Sequence, residues 1–309
     1  MKLSVLFPET RDIRRVAELA QQSEELGFHG MFLGAAFGFD PIMALALAGA
    51  GTTRIMLGTA VVPTWPRHPL VMAQQGATAN AACGGRFRLG VGPSHVPVMG
   101  MYGIEMEKPI RHVTEYLTVM RALLDEGRVS FAGEQYKVNG FLDVEGGGRP
   151  PVLLSALHDQ MSRLAGRLAD GVLPWLAPLP WVTDVILPNV RKGAADAGRE
   201  PPPVIIELPC VLSTDRDHVR EVARHDLAMY LKVTFYADVL EQAGIPGADV
   251  CRTDGWSDEM IDAVVPWGDE DALAARAQAY LDAGCDEVVL SPYGGDDKTL
   301  EVLGDIARS

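Results

Sequence analysis

Positive charge is scarce in this 309-residue chain, which has 27 Lys and Arg against 41 Asp and Glu and a formal net charge of -14 at pH 7. Such a balance repels phosphate backbones and anionic lipid headgroups, so neither nucleic acid nor a membrane is expected as a partner. A small-molecule substrate is expected instead. Anionic small molecules stay open, because Arg67, His68, His158 and Arg163 can create a local basic patch.

Long apolar runs and closely spaced cysteines are also lacking. The nearest approach to an apolar run, residues 41–51, is interrupted by glycine and falls short of the roughly 18 residues that cross a bilayer. Cys83, Cys210, Cys251 and Cys285 form no C-x-x-C pair and no Cys/His zinc spacing, so no metal site is expected. With no secretory signal at the amino terminus, the expectation is a soluble cytoplasmic protein.

A glycine-rich dinucleotide fingerprint is missing as well. The first apolar stretch, residues 2–7, leads into Pro8-Glu9-Thr10-Arg11. This junction has no glycine to let a pyrophosphate approach the backbone. A nicotinamide dehydrogenase on an open, doubly wound sheet is therefore disfavoured.

What the chain has instead is a regular alternation of apolar strands and amphipathic helices. Alternation of this kind implies a parallel sheet, and eight units in about 300 residues fit a single closed (β/α)8 TIM barrel. Insertions are expected after the fourth and seventh strands, at approximately residues 92–150 and 230–268. The predicted strands are residues 2–7, 30–33, 55–62, 87–91, 152–155, 171–174, 204–212 and 287–290.

Local signals place several helix starts and one irregular segment. Thr10 is a plausible cap for the first helix, and Asp40-Pro41 is a cap followed by proline in the first turn of the second. Another helix is predicted over residues 181–197. Residues 96–108 are rich in Met and Gly without a clear period, which predicts a long loop and a candidate lid.

Three segments resemble one enzyme family. LGTAVVPTWPRHPLVMAQQ, GGRFRLGVG and SALHDQMSRLAGRLADG are similar to the luciferase-like monooxygenase superfamily, and GPSHVPV and VLLSALHDQ resemble its branch that uses the deazaflavin coenzyme F420. The resemblance covers most of residues 1–175. It implies an oxidoreductase that transfers a hydride between F420 and a small organic substrate, with a homodimer as the candidate assembly. An FMN-dependent monooxygenase and a non-catalytic barrel that binds either cofactor are the alternatives.

Two titratable residues lie where barrel strands end, which is where TIM barrels place their active sites. His95 follows Gly92-Pro93-Ser94 after the fourth strand. Its imidazole titrates near neutrality and can supply the proton that accompanies a hydride; the alternative is a hydrogen-bonded loop histidine. Glu9, after the first strand, is the second catalytic candidate, with a solvated carboxylate as its alternative.

Cofactor-binding candidates follow the fourth, fifth and sixth strands. A helix that starts near Asp159 offers free backbone N–H groups to a phosphate, unless Ser155 and Asp159 only cap it. The resemblance implies that this turn holds the cofactor's phosphate and ribityl chain. Trp175 either lines the same pocket or packs at the barrel rim. The candidates are Gly92, Pro93, Ser94, Ser155, Ala156, Leu157, His158 and Trp175.

The end of the third strand, Thr59-Ala60-Val61, is the last candidate. A bulge here would turn backbone toward a flat cofactor ring, and bulges are common beside active sites. The resemblance implies a non-prolyl cis peptide at Ala60–Val61, or at Thr59–Ala60. An ordinary trans strand, with Ala60 small only for packing, is the alternative.

One departure from the family lies after the second strand. Many deazaflavin members have a polar pair such as Asp-His at this point, whereas this chain has Gly34-Ala35-Ala36-Phe37. A smaller and more apolar pocket is implied on that side.

Overall fold

Eight parallel strands line the centre of the molecule in a computed structural model that describes residues 1–7, 12–35, 37–295 and 297–309. Each strand is short, apolar and almost fully buried, as expected for parallel strands covered by helices. The strands are Leu3–Phe7, Gly30–Leu33, Met56–Thr59, Phe87–Gly92, Val152–Leu154, Gly171–Val172, Ile205–Leu212 and Glu287–Pro292.

The strands close into a barrel. Strands one to six pair in chain order, and the eighth strand lies between the first and the seventh. Bridges from Val172 to Val204 and from Trp175 to Glu207 then join the sixth strand to the seventh. The predicted closed barrel is confirmed, and the open sheet is excluded.

Helices surround the barrel and follow the predicted order. Asp40 caps its helix by accepting a hydrogen bond from the Met43 N–H group, as predicted. The first helix begins at Ile13 and is capped by Asp12, so the prediction of Thr10 as its cap is wrong; Thr10 lies outside the described residues. The helices that pack around the barrel are Ile13–Glu25, Pro41–Gly49, Pro69–Ala82, Pro109–Glu126, Asp159–Leu168, Leu187–Asp196, Arg216–Asp226, Glu270–Asp282 and Asp297–Arg308.

The helix predicted over residues 181–197 is divided. It opens with Leu179–Trp181, continues as a π-helical turn over Val182–Ile186 and becomes α-helical only from Leu187 to Asp196. Pro188 explains the change, because proline has no N–H group to donate to the preceding turn.

Both insertions contain ordered structure. The first has the helix Val96–Met101, which corrects the predicted loop over residues 96–108, and an antiparallel hairpin of Arg128–Ala132 and Lys137–Phe141. The second insertion is largely helical. Its elements are Ala228–Lys232, Thr234–Gln242, Ala248–Val250, Cys251–Asp254, Asp258–Val264 and the short strand Trp267–Gly268. Within the described residues, no helix is long and apolar enough to span a bilayer.

Side chains fill the barrel interior in layers. At the amino-terminal end the Glu287 carboxylate accepts hydrogen bonds from Arg88 at 2.7 and 3.1 Å and from Ser4 at 2.5 Å. The Arg88 guanidinium lies 4.6 Å from the centre of the Phe32 ring. Above it is an apolar layer, so ligands must bind at the carboxyl-terminal mouth. This layer consists of Leu6, Phe32, Leu153, Leu173, Ile205 and Val289.

Candidate active site

The third strand breaks at the predicted point. It is regular from Met56 to Thr59, has a cis peptide bond between Ala60 and Val61, and resumes at Val62–Pro63 beside the fourth strand. The predicted cis peptide is confirmed at the first of its two candidate positions. The Ala60 N–H group donates a 2.8 Å hydrogen bond to the Leu33 carbonyl, which ties the bulge to the second strand.

Several predicted cofactor-binding residues meet at the mouth. Ala60, Val61 and Trp175 pack together on the apolar layer of the barrel interior. A Cβ atom on Gly92 would lie 2.9 Å from Val61 Cγ2 and 3.0 Å from Ser155 Cβ. Only glycine therefore lets the ends of the third, fourth and fifth strands approach so closely.

His95 lies at the same mouth and faces the second insertion. Its Nε2 atom is 3.4 Å from the Tyr236 hydroxyl, and its ring stacks on Phe235 at a centroid distance of 5.5 Å. Burial lowers the pKa of His95. The imidazole is therefore neutral at pH 7, and it acts as a hydrogen-bonding group without a fixed charge.

His158 begins the turn that was predicted to hold phosphate. It occupies the N-cap position of the helix Asp159–Leu168 and makes no side-chain cap hydrogen bond, while the Asp159 carboxylate accepts a 2.7 Å hydrogen bond from the Gln160 N–H group. Its Nε2 atom is 3.2 Å from the Phe235 carbonyl oxygen, so Phe235 contacts both site histidines. The Ala156 and Leu157 side chains are buried in the core, and the Leu157 carbonyl accepts a 2.8 Å hydrogen bond from the Trp181 indole N–H group.

Other predicted residues are placed differently. The Thr59 hydroxyl is buried and donates a 2.8 Å hydrogen bond to the Gly90 carbonyl, so it is already satisfied. Pro93 and Ser94 are partly exposed on the turn before His95, and Ser94 has a left-handed backbone with φ of 65°. Glu9 lies outside the described residues.

The loop after the third strand packs on the scaffold. The Trp65 ring stacks on His112 at a centroid distance of 3.5 Å and an angle of 7°. Arg67 forms an ion pair with Asp40. These contacts pack the loop on the scaffold and pair Arg67, one of the cations of the predicted local basic patch, with a carboxylate.

Glu207 is a site residue that sequence reasoning missed. It lies on the seventh strand, bridged to Trp175, and is 3% exposed. Burial, reinforced by the negative charge of Glu287, raises the pKa of Glu207 to about 8. The available signal was a lone acid in the apolar strand IIELPCVL.

An aromatic wall from the second insertion was also missed. Tyr230 lies 5.8 Å from Trp175 and 5.2 Å from Tyr236 between ring centroids, and Phe235 lies 4.7 Å from Tyr236. Burial raises the pKa of Tyr230 to about 12, and the negative charge of an ionised Glu207 contributes to the rise. The mouth is therefore bounded by uncharged aromatic side chains.

This arrangement suits a flat heterocycle with polar edges. The Ala60–Val61 bulge and Trp175 offer small and aromatic surfaces. The Oε1 atom of Glu207 and the Oγ atom of Ser291 are buried, and neither has a hydrogen-bond partner within the described part of the chain. Unpartnered buried polar atoms are costly and indicate a missing partner. No group of side chains suited to a metal ion occurs in the described part of the chain.

Known proteins resemble the chain along nearly its whole length. An F420-dependent glucose-6-phosphate dehydrogenase from Nakamurella multipartita is 30% identical over 93% of this chain and 89% of its own. A 5,10-methylenetetrahydromethanopterin reductase from Methanolobus tindarius is 27% identical over 98% of both chains. The solved F420-dependent tetrahydromethanopterin reductase of Methanopyrus kandleri superimposes with a TM-score of 0.80 at 22% identity, covering 98% of this chain and 97% of that one.

Flavin enzymes share the same fold. The oxygenating constituent of 3,6-diketocamphane monooxygenase from Pseudomonas putida, solved with FMN, superimposes with a TM-score of 0.74 at 16% identity, covering 99% of this chain and 97% of that one. The sequence itself matches the luciferase-like monooxygenase family over residues 1–287. The chain therefore belongs to the luciferase-like monooxygenase family.

Proposed function

We propose that this protein is an F420-dependent oxidoreductase that transfers a hydride between the deazaflavin and a small organic substrate. The observation that carries the proposal is the meeting of the Ala60–Val61 bulge, Trp175, His95 and the helix start at His158 at one barrel mouth. The two full-length relatives described above support F420 over FMN. We also infer that the whole chain forms a single barrel domain with two insertions.

Different residues at the mouth bind different parts of the cofactor. Bound deazaflavin supplies a carbon that gives or accepts a hydride. The Ala60–Val61 bulge and Trp175 back its ring, with Gly92 keeping the adjoining strand ends close. The backbone N–H groups of Ala156, Leu157 and His158, at the helix start, donate to its phosphate, whereas the Ser155 N–H group is bonded to the Val91 carbonyl.

His95 is the proposed catalytic residue for the substrate. Because its imidazole is neutral, it donates one N–H hydrogen bond to a substrate oxygen and can supply a proton as negative charge develops there. Its contacts with Tyr236 and Phe235 fix the ring orientation. Glu9 remains a second proposed catalytic residue on sequence grounds.

The proposed substrate is uncharged near its reacting group. Tyr230, Phe235 and Tyr236 bound the mouth, and Arg67 is paired with Asp40. An activated C=C or C=N bond or a carbonyl suits such a lining. The proposed substrate is therefore a small organic molecule in which one of these groups accepts the hydride.

A binding titration tests the proposal. Purified protein is titrated with F420 and with FMN, each followed by cofactor fluorescence, and F420 should bind more tightly. Tight FMN binding without F420 binding would favour the monooxygenase alternative, and binding of neither would favour a barrel without this cofactor chemistry.

Two glycine variants localise the binding site. Gly92→Ala should weaken F420 binding, because the new Cβ would press on Val61 and Ser155. Gly51→Ala, on an exposed turn between the second helix and the third strand, is the control, because a Cβ there approaches closely only the end of the flexible Gln21 side chain. Equal loss of binding in both variants would place the cofactor elsewhere.

A further inference from the structure

The barrel interior holds two glutamates with opposite surroundings. Glu287, at the amino-terminal end, is hydrogen-bonded by Arg88 and Ser4, which accounts for its burial. Glu207, nearer the mouth, has an Oε1 atom that no described residue satisfies. The hydrogen bonds from Arg88 and Ser4 therefore account for the burial of Glu287, whereas no such partners account for the burial of Glu207 among the described residues.

A second unpartnered atom lies diagonally across from Glu207. Register pairs Glu207 with Val289 and Pro209 with Ser291, so Glu207 and Ser291 share the interior face of adjacent strands, one pleat apart. The Ser291 side chain is fully buried, and its Oγ atom also has no hydrogen-bond partner among the residues that the structure describes. Two polar groups on adjacent strands, one pleat apart, therefore lack partners among the described residues.

The described groups around Glu207 supply no positive charge. Trp175 faces Glu207 from the end of the sixth strand, and Tyr230 and Tyr236 approach it from the second insertion. Burial raises the pKa of both phenols, and neighbouring groups that include Glu207 add to this effect. Deeper in the barrel, Glu287 carries a negative charge. Trp175 lies beside Tyr230, but no hydrogen bond of normal geometry joins its indole N–H group to that hydroxyl.

We propose that Glu207 and Ser291 form a hydrogen-bonding floor for the cofactor ring in the barrel mouth, with the Glu207 carboxyl group donating to a carbonyl-type oxygen of that ring. This inference rests on the proposed function. A carboxyl group donates only while it is protonated. Burial and Glu287 keep Glu207 in that state at neutral pH.

Three variants and two probes test this floor. F420 and FMN are titrated separately, without substrate, so that the readout concerns the cofactor ring alone. Glu207→Gln keeps the shape and a donor and should bind F420 within about threefold of wild type, whereas Glu207→Leu should bind about tenfold more weakly. Ser291→Ala should weaken binding about three- to tenfold. Glu301→Gln, on the exposed face of the last helix, is the control.

The pH dependence separates a protonated donor from a merely well-packed side chain. Wild-type affinity for F420 should fall as the pH rises above about 8, where Glu207 ionises. The Glu207→Gln protein should not show that fall. Ionisation of the cofactor itself affects both proteins equally, so only the difference between them is used. Infrared spectra of the cofactor-free protein should show a protonated carboxyl band at pH 7 that Glu207→Gln removes.

The outcomes separate this inference from the proposed function. If wild type binds F420 and the Glu207→Leu and Ser291→Ala proteins bind it equally well, the floor is wrong and the function stands. Absence of the carboxyl band at pH 7 also overturns the floor. If wild type binds neither F420 nor FMN, the proposed function fails and this inference falls with it.

Discussion

Replacing Glu207 with glutamine should make folding stability less sensitive to pH between about 4.5 and 8. The wild-type carboxyl has a pKa of about 8 in the folded protein against an ordinary value of 4.5. Between these values the unfolded chain has released this proton and the folded chain has not. Because the folded state then binds more protons, its stability falls as the pH rises.

The size of the effect follows from the width of this window. Each pH unit inside it lowers the free energy of unfolding by about 1.4 kcal/mol. Between pH 4.5 and neutral pH, wild type should therefore lose about 3 kcal/mol relative to Glu207→Gln. Below the lower bound the difference is constant, and above the pKa of about 8 it levels off.

Denaturant unfolding of the cofactor-free proteins at a series of pH values measures this difference. Wild type, Glu207→Gln and the surface control Glu301→Gln are compared at each pH, and the slopes of the transitions check that the same surface is exposed. Only Glu207→Gln should diverge from wild type as the pH rises. Parallel profiles for wild type and Glu207→Gln would show that Glu207 ionises normally in the folded protein and would refute the reasoning.

Three further predictions concern other parts of the molecule. His95→Ala should lower turnover about 100-fold with little change in F420 affinity, whereas His225→Ala, on the exposed face of its helix, should change neither; equal turnover would leave His95 as a packing residue. Burial opposes ionisation of Glu24, but hydrogen bonds from the N–H groups of residues 53–55 lower its pKa to about 2. Glu24→Gln should therefore lower the free energy of unfolding by about 1–3 kcal/mol at pH 7. This difference in stability should shrink as the pH falls from 4.5 toward 2. Residues 96–108 should gain hydrogen-exchange protection when F420 binds, and unchanged protection would contradict a role as a lid.

The barrel could be predicted because its signals are local. Apolar runs such as Phe87–Gly92 and the Asp40-Pro41 helix start depend on residues a few positions apart, and both occur where expected. The Ala60–Val61 cis peptide was located through a resemblance, since composition and periodicity do not report the isomer of a single bond.

Local signals were weakest where they were short or contradictory. The helix Val96–Met101 has six residues, too few to show a period. Pro188 interrupts hydrogen bonding inside a segment whose apolar spacing remains helical, so the π-helical turn was missed. The sequence predicted Thr10 as the cap of the first helix, whereas in the structure the Asp12 side chain caps it.

The sequence by itself determined the order of strands and helices, the barrel, and the turns that carry His95 and His158. Only the tertiary structure decided which side chains meet there. His95 contacts Tyr236, 141 positions away, and Glu207 joins Trp175 and Ser291 because barrel closure and strand register bring three strands together. Strand periodicity fixes which residues alternate between the two faces of a strand. The depth of burial and the partners of each residue depend instead on packing across the whole barrel. For that reason Glu207 looks like an ordinary glutamate in the sequence, whereas burial in the fold raises its pKa and favours the uncharged acid.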